Sequence, residues 1–309
     1  MQGRLVLLCP GQGAQHPAMF DLARTSAQAA AMLDESIQAA QLGVPLDRIL
    51  SDTLLFCNRM AQPLIVAATM ATWEAIRERV PAPSLVAGYS IGEVAAWGVA
   101  GALSARELVP LAAGRARLMN ACLETTPGQT LVAIAGLQVR AAAAELRKLG
   151  FYVAIETGED SFIAGGLAAG MSELQRWVEA SGGRANALRV EVASHTLYMR
   201  PAVEPFRHLL ERQHFTDPAV PVLSGISAEP LYRVDKAIDH LARQLAETIR
   251  WKDCMDALVE AGVTVALELG PGATLARMLQ GRHPQIACRS VADFRSLDGV
   301  VAWLTRQLE

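Results

Sequence analysis

The sequence lacks most of the features that would take it out of the ordinary globular class. No run of eighteen apolar residues occurs in its 309 residues. The nearest approach, Val94 to Leu103, is about half a membrane span and follows Glu93, so it reads as a buried helix. The apolar run at the start, Leu5 to Cys9, is closed by Pro10-Gly11 and is too short for a signal-peptide core. Charge of one sign is also missing: 28 Lys and Arg against 31 Asp and Glu leave a formal −3, without the basic stripe of a nucleic-acid binder. Five cysteines (Cys9, Cys57, Cys122, Cys254 and Cys288) are odd in number and scattered. With no CxxC pair among them, they argue against a disulfide scaffold or a zinc site. Charged residues make up only 19% against 51% hydrophobic, so the chain can bury a sizeable core and is not disordered. These absences predict a soluble, reduced, cytoplasmic protein that binds neither membrane nor nucleic acid.

What is present reads as an α/β chain. Leu5 to Cys9 is a short continuous apolar run of the kind that forms a strand buried on both faces. Helical stretches follow at Ala27 to Ala40 and Gln62 to Arg79, the second broken by Pro81 and Pro83. A strand at Leu85 to Ala87 then meets a tight turn and a helix starting near Glu93, the order of a wound sheet. The middle differs. Strands at Leu131–Ala135, Tyr152–Ile155, Ser161–Ala164 and Ala187–Val192 enclose helices at Val139–Leu149 and Met171–Ser181. That β-α-β-β-α-β order is ferredoxin-like. Residues 128–192 are therefore expected to form a small subdomain inserted into a larger, mostly parallel domain made of 1–127 and 193–309. After it the sequence predicts helices at Tyr198–Arg212, Lys236–Glu247 and Asp253–Ala261, and strands at Val220–Leu223 and Val263–Leu269.

The chemistry concentrates at Gly88-Tyr89-Ser90-Ile91-Gly92. A G-x-S-x-G sequence between a strand and a helix has the form of a nucleophile elbow, which exposes the serine hydroxyl on a sharp turn. The helix that follows offers free N–H groups to developing negative charge. A serine needs a base, and there are six histidines. His195, placed after a strand and far from Ser90 in sequence, fits the way triads are assembled. His16, in a glycine-rich loop, is a weaker candidate. Read from the residues alone, the five-residue pattern also fits a glycine-flanked surface serine, and the four remaining histidines read as solvated surface residues.

Five blocks then combine. Pro10-Gly11-Gln12-Gly13-Ala14-Gln15, Gly88-Tyr89-Ser90-Ile91-Gly92-Glu93, Arg115 within Gly114 to Met119, Ala193-Ser194-His195 and Glu268-Leu269-Gly270-Pro271-Gly272 follow one another along the chain. Together they resemble the malonyl-CoA:acyl-carrier-protein transacylase family. The resemblance implies a hydrolase-like domain with a ferredoxin-like insertion. It also implies Ser90 as nucleophile, His195 as general base and acid, and an oxyanion hole made by the N–H groups of Gln12 and Ile91. Arg115 would hold the malonyl carboxylate, a role suited to a planar, permanently charged guanidinium. By the same resemblance the stretch Thr248-Ile249-Arg250-Trp251 would orient the histidine through the main chain of Arg250. Malonyl-CoA would be the substrate and an acyl carrier protein the partner, with no cofactor and no metal.

Two features depart from that pattern. Tyr89 stands where the family usually has histidine, and Val192-Ala193-Ser194-His195 resembles acyltransferases that accept methyl-branched units. Tyr89 and Ser290 to Leu297 together resemble a narrower relative, the malonyltransferase (epsilon) subunit of bacterial malonate decarboxylase. A fatty-acid or polyketide malonyl-CoA:acyl-carrier-protein transacylase and a serine thioesterase are the enzymatic alternatives, and a docking subunit with a relic site the non-enzymatic one.

Overall fold

The computed structural model describes residues 3–51 and 53–309. The chain begins with β1 (Leu5–Cys9), α1 (Ala27–Ala40), α2 (Leu46–Leu50), α3 (Asn58–Ile76), β2 (Leu85–Gly88), α4 (Ile91–Val99) and α5 (Ala105–Thr125). Next come β3 (Gln129–Ala135), α6 (Val139–Lys148), β4 (Tyr152–Glu156), β5 (Ser161–Leu167), α7 (Met171–Ala180) and β6 (Arg184–Ala187). The remainder is α8 (Arg200–Glu211), β7 (Val222–Leu223), β8 (Pro230–Leu231), α9 (Val234–Gln244), α10 (Trp251–Glu260), β9 (Val265–Glu268), α11 (Thr274–Arg282), β10 (Ala287–Ser290) and α12 (Leu297–Leu308).

Two sheets result. The first has the order β10-β9-β1-β2-β7-β8, parallel except for β8 at its edge. Every residue of β1, β2 and β9 is buried, as expected where helices cover both faces of a parallel sheet. The second sheet, β4-β5-β3-β6, is antiparallel throughout and has the ferredoxin-like strand order expected of the β-α-β-β-α-β segment. Its pleat divides two cores: Val132 and Ile134 face a cluster with Leu146, Phe151 and Leu174. Leu131 instead joins Val6, Leu8 and Leu85 of the parallel sheet. Main-chain bonds complete the attachment, with the Ile249 N–H donating to the Ala154 carbonyl and the Glu156 N–H to the Ile249 carbonyl.

One strand departs from expectation. β6 spans Arg184–Ala187, not Ala187–Val192. The alternation of Leu188, Val190 and Val192 looks like a strand, but these side chains pack into the two cores of the larger unit as the chain leaves the small sheet. His195 therefore sits on an irregular crossover. Sequence reading also passed over α2, α5, β8, α11, β10 and α12. Among the described residues no helix is long and apolar enough to cross a membrane.

Candidate active site

The elbow begins where β2 ends. Ser90 has φ 57° and ψ −119°, a left-handed conformation that costs a residue with a β-carbon about 1–3 kcal/mol. The flanking glycines explain why the turn closes. A β-carbon on Gly88 would lie 2.3 Å from the Glu93 backbone, and one on Gly92 2.0 Å from the Cys9 carbonyl oxygen. Only glycine at both positions lets α4 start against the end of β1. The Ser90 side chain does not cap α4 and is free to point elsewhere.

It points to a histidine: Ser90 Oγ lies 2.8 Å from His195 Nε2. His195, itself at φ 63°, is 1% exposed. Its Nδ1 is 2.6 Å from the Gln244 carbonyl and its N–H donates to the Leu245 carbonyl at 2.8 Å. Both carbonyls lie at the end of α9, where helix carbonyls lack intrahelical partners. A carbonyl can only accept, so Nδ1 carries the proton and Nε2 is left to receive one from Ser90. Burial, and then the charge of Arg115, depress the imidazole pKa to about 3, while the Gln244 carbonyl opposes the shift. The ring is neutral, and its Nε2 lone pair faces Ser90 Oγ.

Arg115 comes from the buried face of α5. It is not an exposed helix arginine: it is 1% exposed, with Nη1 donating to Gln62 Oε1 at 2.7 Å and Nη2 to Gln244 Oε1 at 3.3 Å. Its Nε has no partner among the described residues. Burial lowers its pKa to about 10, and the nearby Glu93 charge pulls the other way. The guanidinium thus remains a buried cation whose immediate acceptors, two amides and the Met119 sulfur, are neutral.

The loop after β1 supplies the remaining pieces. A β-carbon on Gly11 would come within 2.9 Å of the Tyr89 carbonyl oxygen, so the segment carrying Gln12 passes beside the elbow. Gln15 Oε1 accepts the Gly13 N–H at 2.7 Å and shapes that loop. The N–H groups of Gln12 and Ile91 bond to no other described residue. A cavity of about 270 Å³ opens alongside, lined by Gln12, Tyr89, Ile163 of the small sheet, Thr274 and Met278. Tyr89 packs edge-on against Trp251, with ring centroids 5.3 Å apart. A larger cavity of about 700 Å³ beside α3 and α4 is lined by none of Gln12, Ser90, Arg115 or His195. No cluster of three or more metal-ligating side chains occurs among the described residues.

The structure thus places Ser90 against His195, sets Arg115 one residue away through Gln244, and brings Gln12 alongside. Arg250 is corrected. Its guanidinium is half-exposed and pairs with Asp253 at 2.6 Å, and the carbonyl that meets His195 belongs to Gln244, at the end of the preceding helix. His16 lines a different cavity, with Asp21 and Arg295. Sequence reading missed Gln244, Glu93 and Gln62. A signal existed for Gln244: it follows Ala237 and Leu241 on the buried face of α9, where helical periodicity calls for an apolar residue.

Comparison with known proteins identifies the family. Residues 6–296 match the acyl transferase domain family. The chain is 30% identical over 299 residues to the malonyl CoA-acyl carrier protein transacylase of Mycobacterium tuberculosis, covering 95% of this chain and 98% of that one. Among solved structures, FabD from Acinetobacter baumannii superposes with a TM-score of 0.90 at 25% identity, covering 99% of both chains. A malonyl-transacylase solved in complex with a type II polyketide acyl-carrier protein superposes with a TM-score of 0.89 at 26% identity, covering 97% of this chain and 99% of that chain. With its serine elbow, paired histidine and full-length match, this chain belongs to the acyl transferase domain family.

Proposed function

We propose that this enzyme transfers a malonyl group from malonyl-CoA to the thiol of an acyl carrier protein through a malonyl-serine intermediate. Ser90 Oγ attacks the thioester carbonyl and gives its proton to His195 Nε2. The N–H groups of Gln12 and Ile91 receive the developing oxyanion, a role in which each donor is worth about 2.7–4 kcal/mol. The carbon–sulfur bond breaks, and His195 returns the proton to the CoA sulfur. The carrier thiol then repeats the sequence in reverse, giving its proton to His195 as it attacks the ester, and Ser90 leaves with that proton. Arg115 holds the distal carboxylate by a charge-assisted pair. The 270 Å³ cavity beside Gln12 offers room for the thioester arm, between the large unit (1–127 and 193–309) and the small one (128–192).

The observation that carries this reading is Arg115. A buried guanidinium held by two amides, with Nε unpartnered, is costly unless an anion completes it. A plain thioesterase gives no reason for it. The relatives named as malonyl transacylases, and the one solved with its carrier protein, support the choice of substrate and partner. Incubation with malonyl-CoA, read by intact mass, should give a malonyl adduct that persists until a thiol such as pantetheine is added. Free malonate without an adduct would favour a hydrolase.

A second reading concerns the carrier. Tyr89, packed on Trp251, and the segment Ser290 to Leu297 favour the carrier subunit of malonate decarboxylase over a fatty-acid or polyketide carrier. Transfer assays against both carrier types distinguish them: preference for the fatty-acid carrier would remove this narrower assignment.

A further inference from the structure

Two buried residues whose side chains the proposed chemistry leaves unused, Gln244 and Glu93, form a chain of contacts behind its polar groups. Gln244 makes three contacts at once. Its carbonyl oxygen accepts from His195 Nδ1 at 2.6 Å, its amide oxygen accepts from Arg115 Nη2 at 3.3 Å, and its amide nitrogen donates to Glu93 Oε2. Glu93 Oε2 also accepts the Gly225 N–H at 2.9 Å. Gln244 is 0% exposed and Glu93 1%, so water does not substitute for these contacts. The amide can point only one way: guanidinium offers only donors, so Oε1 must face Arg115 and Nε2 is left to donate to Glu93.

Burying a carboxylate here is expensive, and Glu93 Oε1 has no partner among the described residues. Burial pushes the Glu93 carboxyl up to about 7; its ionised form offsets the cost of burying Arg115, and its other oxygen fixes Gln244. Because Glu93 lies on α4 three residues after Ser90, it ties the end of α9, which carries both carbonyls that hold His195, to the helix of the nucleophile. A separate contact seats α9 one turn earlier, where Ser224 Oγ meets His240 Nδ1 at 2.8 Å. The helix therefore has an anchor that does not depend on Glu93.

We propose that Glu93 is a positioning residue that acts through Gln244, holding His195 in line with Ser90 and Arg115 in line with the acyl carboxylate. One buried carboxylate thus couples the base to the group that reads the substrate. The Arg115 half rests on the malonyl reading above; the His195 half concerns Ser90 and its base alone.

The test uses the whole protein with Glu93→Gln, Gln244→Met and the double variant, each checked for folding by thermal melting. Ser90 labelling by a fluorophosphonate probe reads the His195 half without any malonyl substrate. Glu93→Gln and Gln244→Met should each slow labelling about tenfold or more, the size expected for losing a buried bond to a charged group. The double variant should be no slower than the worse single, since both act on one chain of contacts. Rates of acyl-enzyme formation from malonyl-CoA and acetyl-CoA read the other half, and their ratio should fall about tenfold. A merely structural role would lower both rates alike, leave the ratio unchanged and make the two substitutions multiply. Labelling within about twofold of the unsubstituted protein in either single variant would overturn the proposal. Should Glu93→Gln fail to fold, Gln244→Met alone decides it, because that variant keeps the main-chain carbonyl and removes both side-chain contacts. An unsubstituted protein that the probe labels but malonyl-CoA does not would refute the malonyl reading while the labelling arm still decided on Glu93.

Discussion

Ser90 and His195 meet at 2.8 Å, but their mounts are built differently. Ser90 is fixed by its immediate neighbours: two glycines, the end of β2 and the start of α4 allow little but the strained turn it occupies. His195 is fixed by residues distant in sequence. The Gln129 side chain accepts the Ala193 N–H at 2.9 Å, and the Gln244 and Leu245 carbonyls hold the imidazole and the backbone of His195. One mount is local and stiff, the other assembled from three parts of the fold. A nucleophile needs only a sharp turn. A base must have its tautomer and direction set, and that takes partners no short motif can supply.

The largest effect should come from the local mount. Ser90→Ala should abolish adduct formation, a loss of about 10⁴-fold or more in acylation rate. Ser90→Gly, equally inactive, should melt higher than Ser90→Ala, by the equivalent of about 1 kcal/mol or more, because glycine accepts φ 57° without strain. Equal melting temperatures would show that the elbow stores no strain.

The two mounts should then separate by readout. Gly92→Ala drives a β-carbon to 2.0 Å from the Cys9 carbonyl. It should lower stability by about 1–3 kcal/mol or more, in addition to activity. Gln129→Ala frees the Ala193 N–H and should slow acylation about tenfold, the cost of an unmade buried bond, chiefly by loosening the His195 loop. Thermal melts beside acylation rates check both. Similar melts for the two variants would erase the contrast between the mounts.

The same contrast explains what was legible in the sequence. β1, β2 and β9 are buried along their whole length and, apart from Glu268 at the end of β9, read as apolar runs. The elbow announces itself in five residues, and α1 runs over Ala27–Ala40 as its pattern indicated. The histidine mount was not legible. The alternation at Leu188, Val190 and Val192 imitates a strand, while these residues leave the sheet to fill two cores. The orienting carbonyl belongs to whichever residue ends α9 in the fold, and a main-chain carbonyl leaves no trace in residue type. Arg250 was the expectation; Gln244 holds the position.

Protonation sharpens the picture further. His195 has its pKa depressed to about 3 from the ordinary 6.5, so the unfolded chain binds a proton here that the folded one does not. The stability from its neutral form is present above pH 6.5 and is lost as pH falls from 6.5 toward 3. Nitrogen-15 NMR of labelled histidine should find His195 neutral, with its proton on Nδ1, at pH 5. An imidazolium signal there would place the ring in a wetter site than the structure describes. The smallest effect is expected at Arg250, whose half-exposed pair with Asp253 is worth about 0–1 kcal/mol. Arg250→Ala should leave acylation within about threefold of the unsubstituted protein, because the carbonyl that orients His195 lies elsewhere.

The most direct test of the account is the rate of acyl-serine formation from malonyl-CoA and from acetyl-CoA, in the unsubstituted protein and in Arg115→Ala. If the buried guanidinium reads the substrate carboxylate, the unsubstituted protein prefers malonyl. In Arg115→Ala that preference should collapse by about a hundredfold, the scale of a lost charge-assisted pair, with acetyl transfer much less affected. If both rates fall together and the preference stays, Arg115 is part of the scaffold and the malonyl reading loses the observation that carries it.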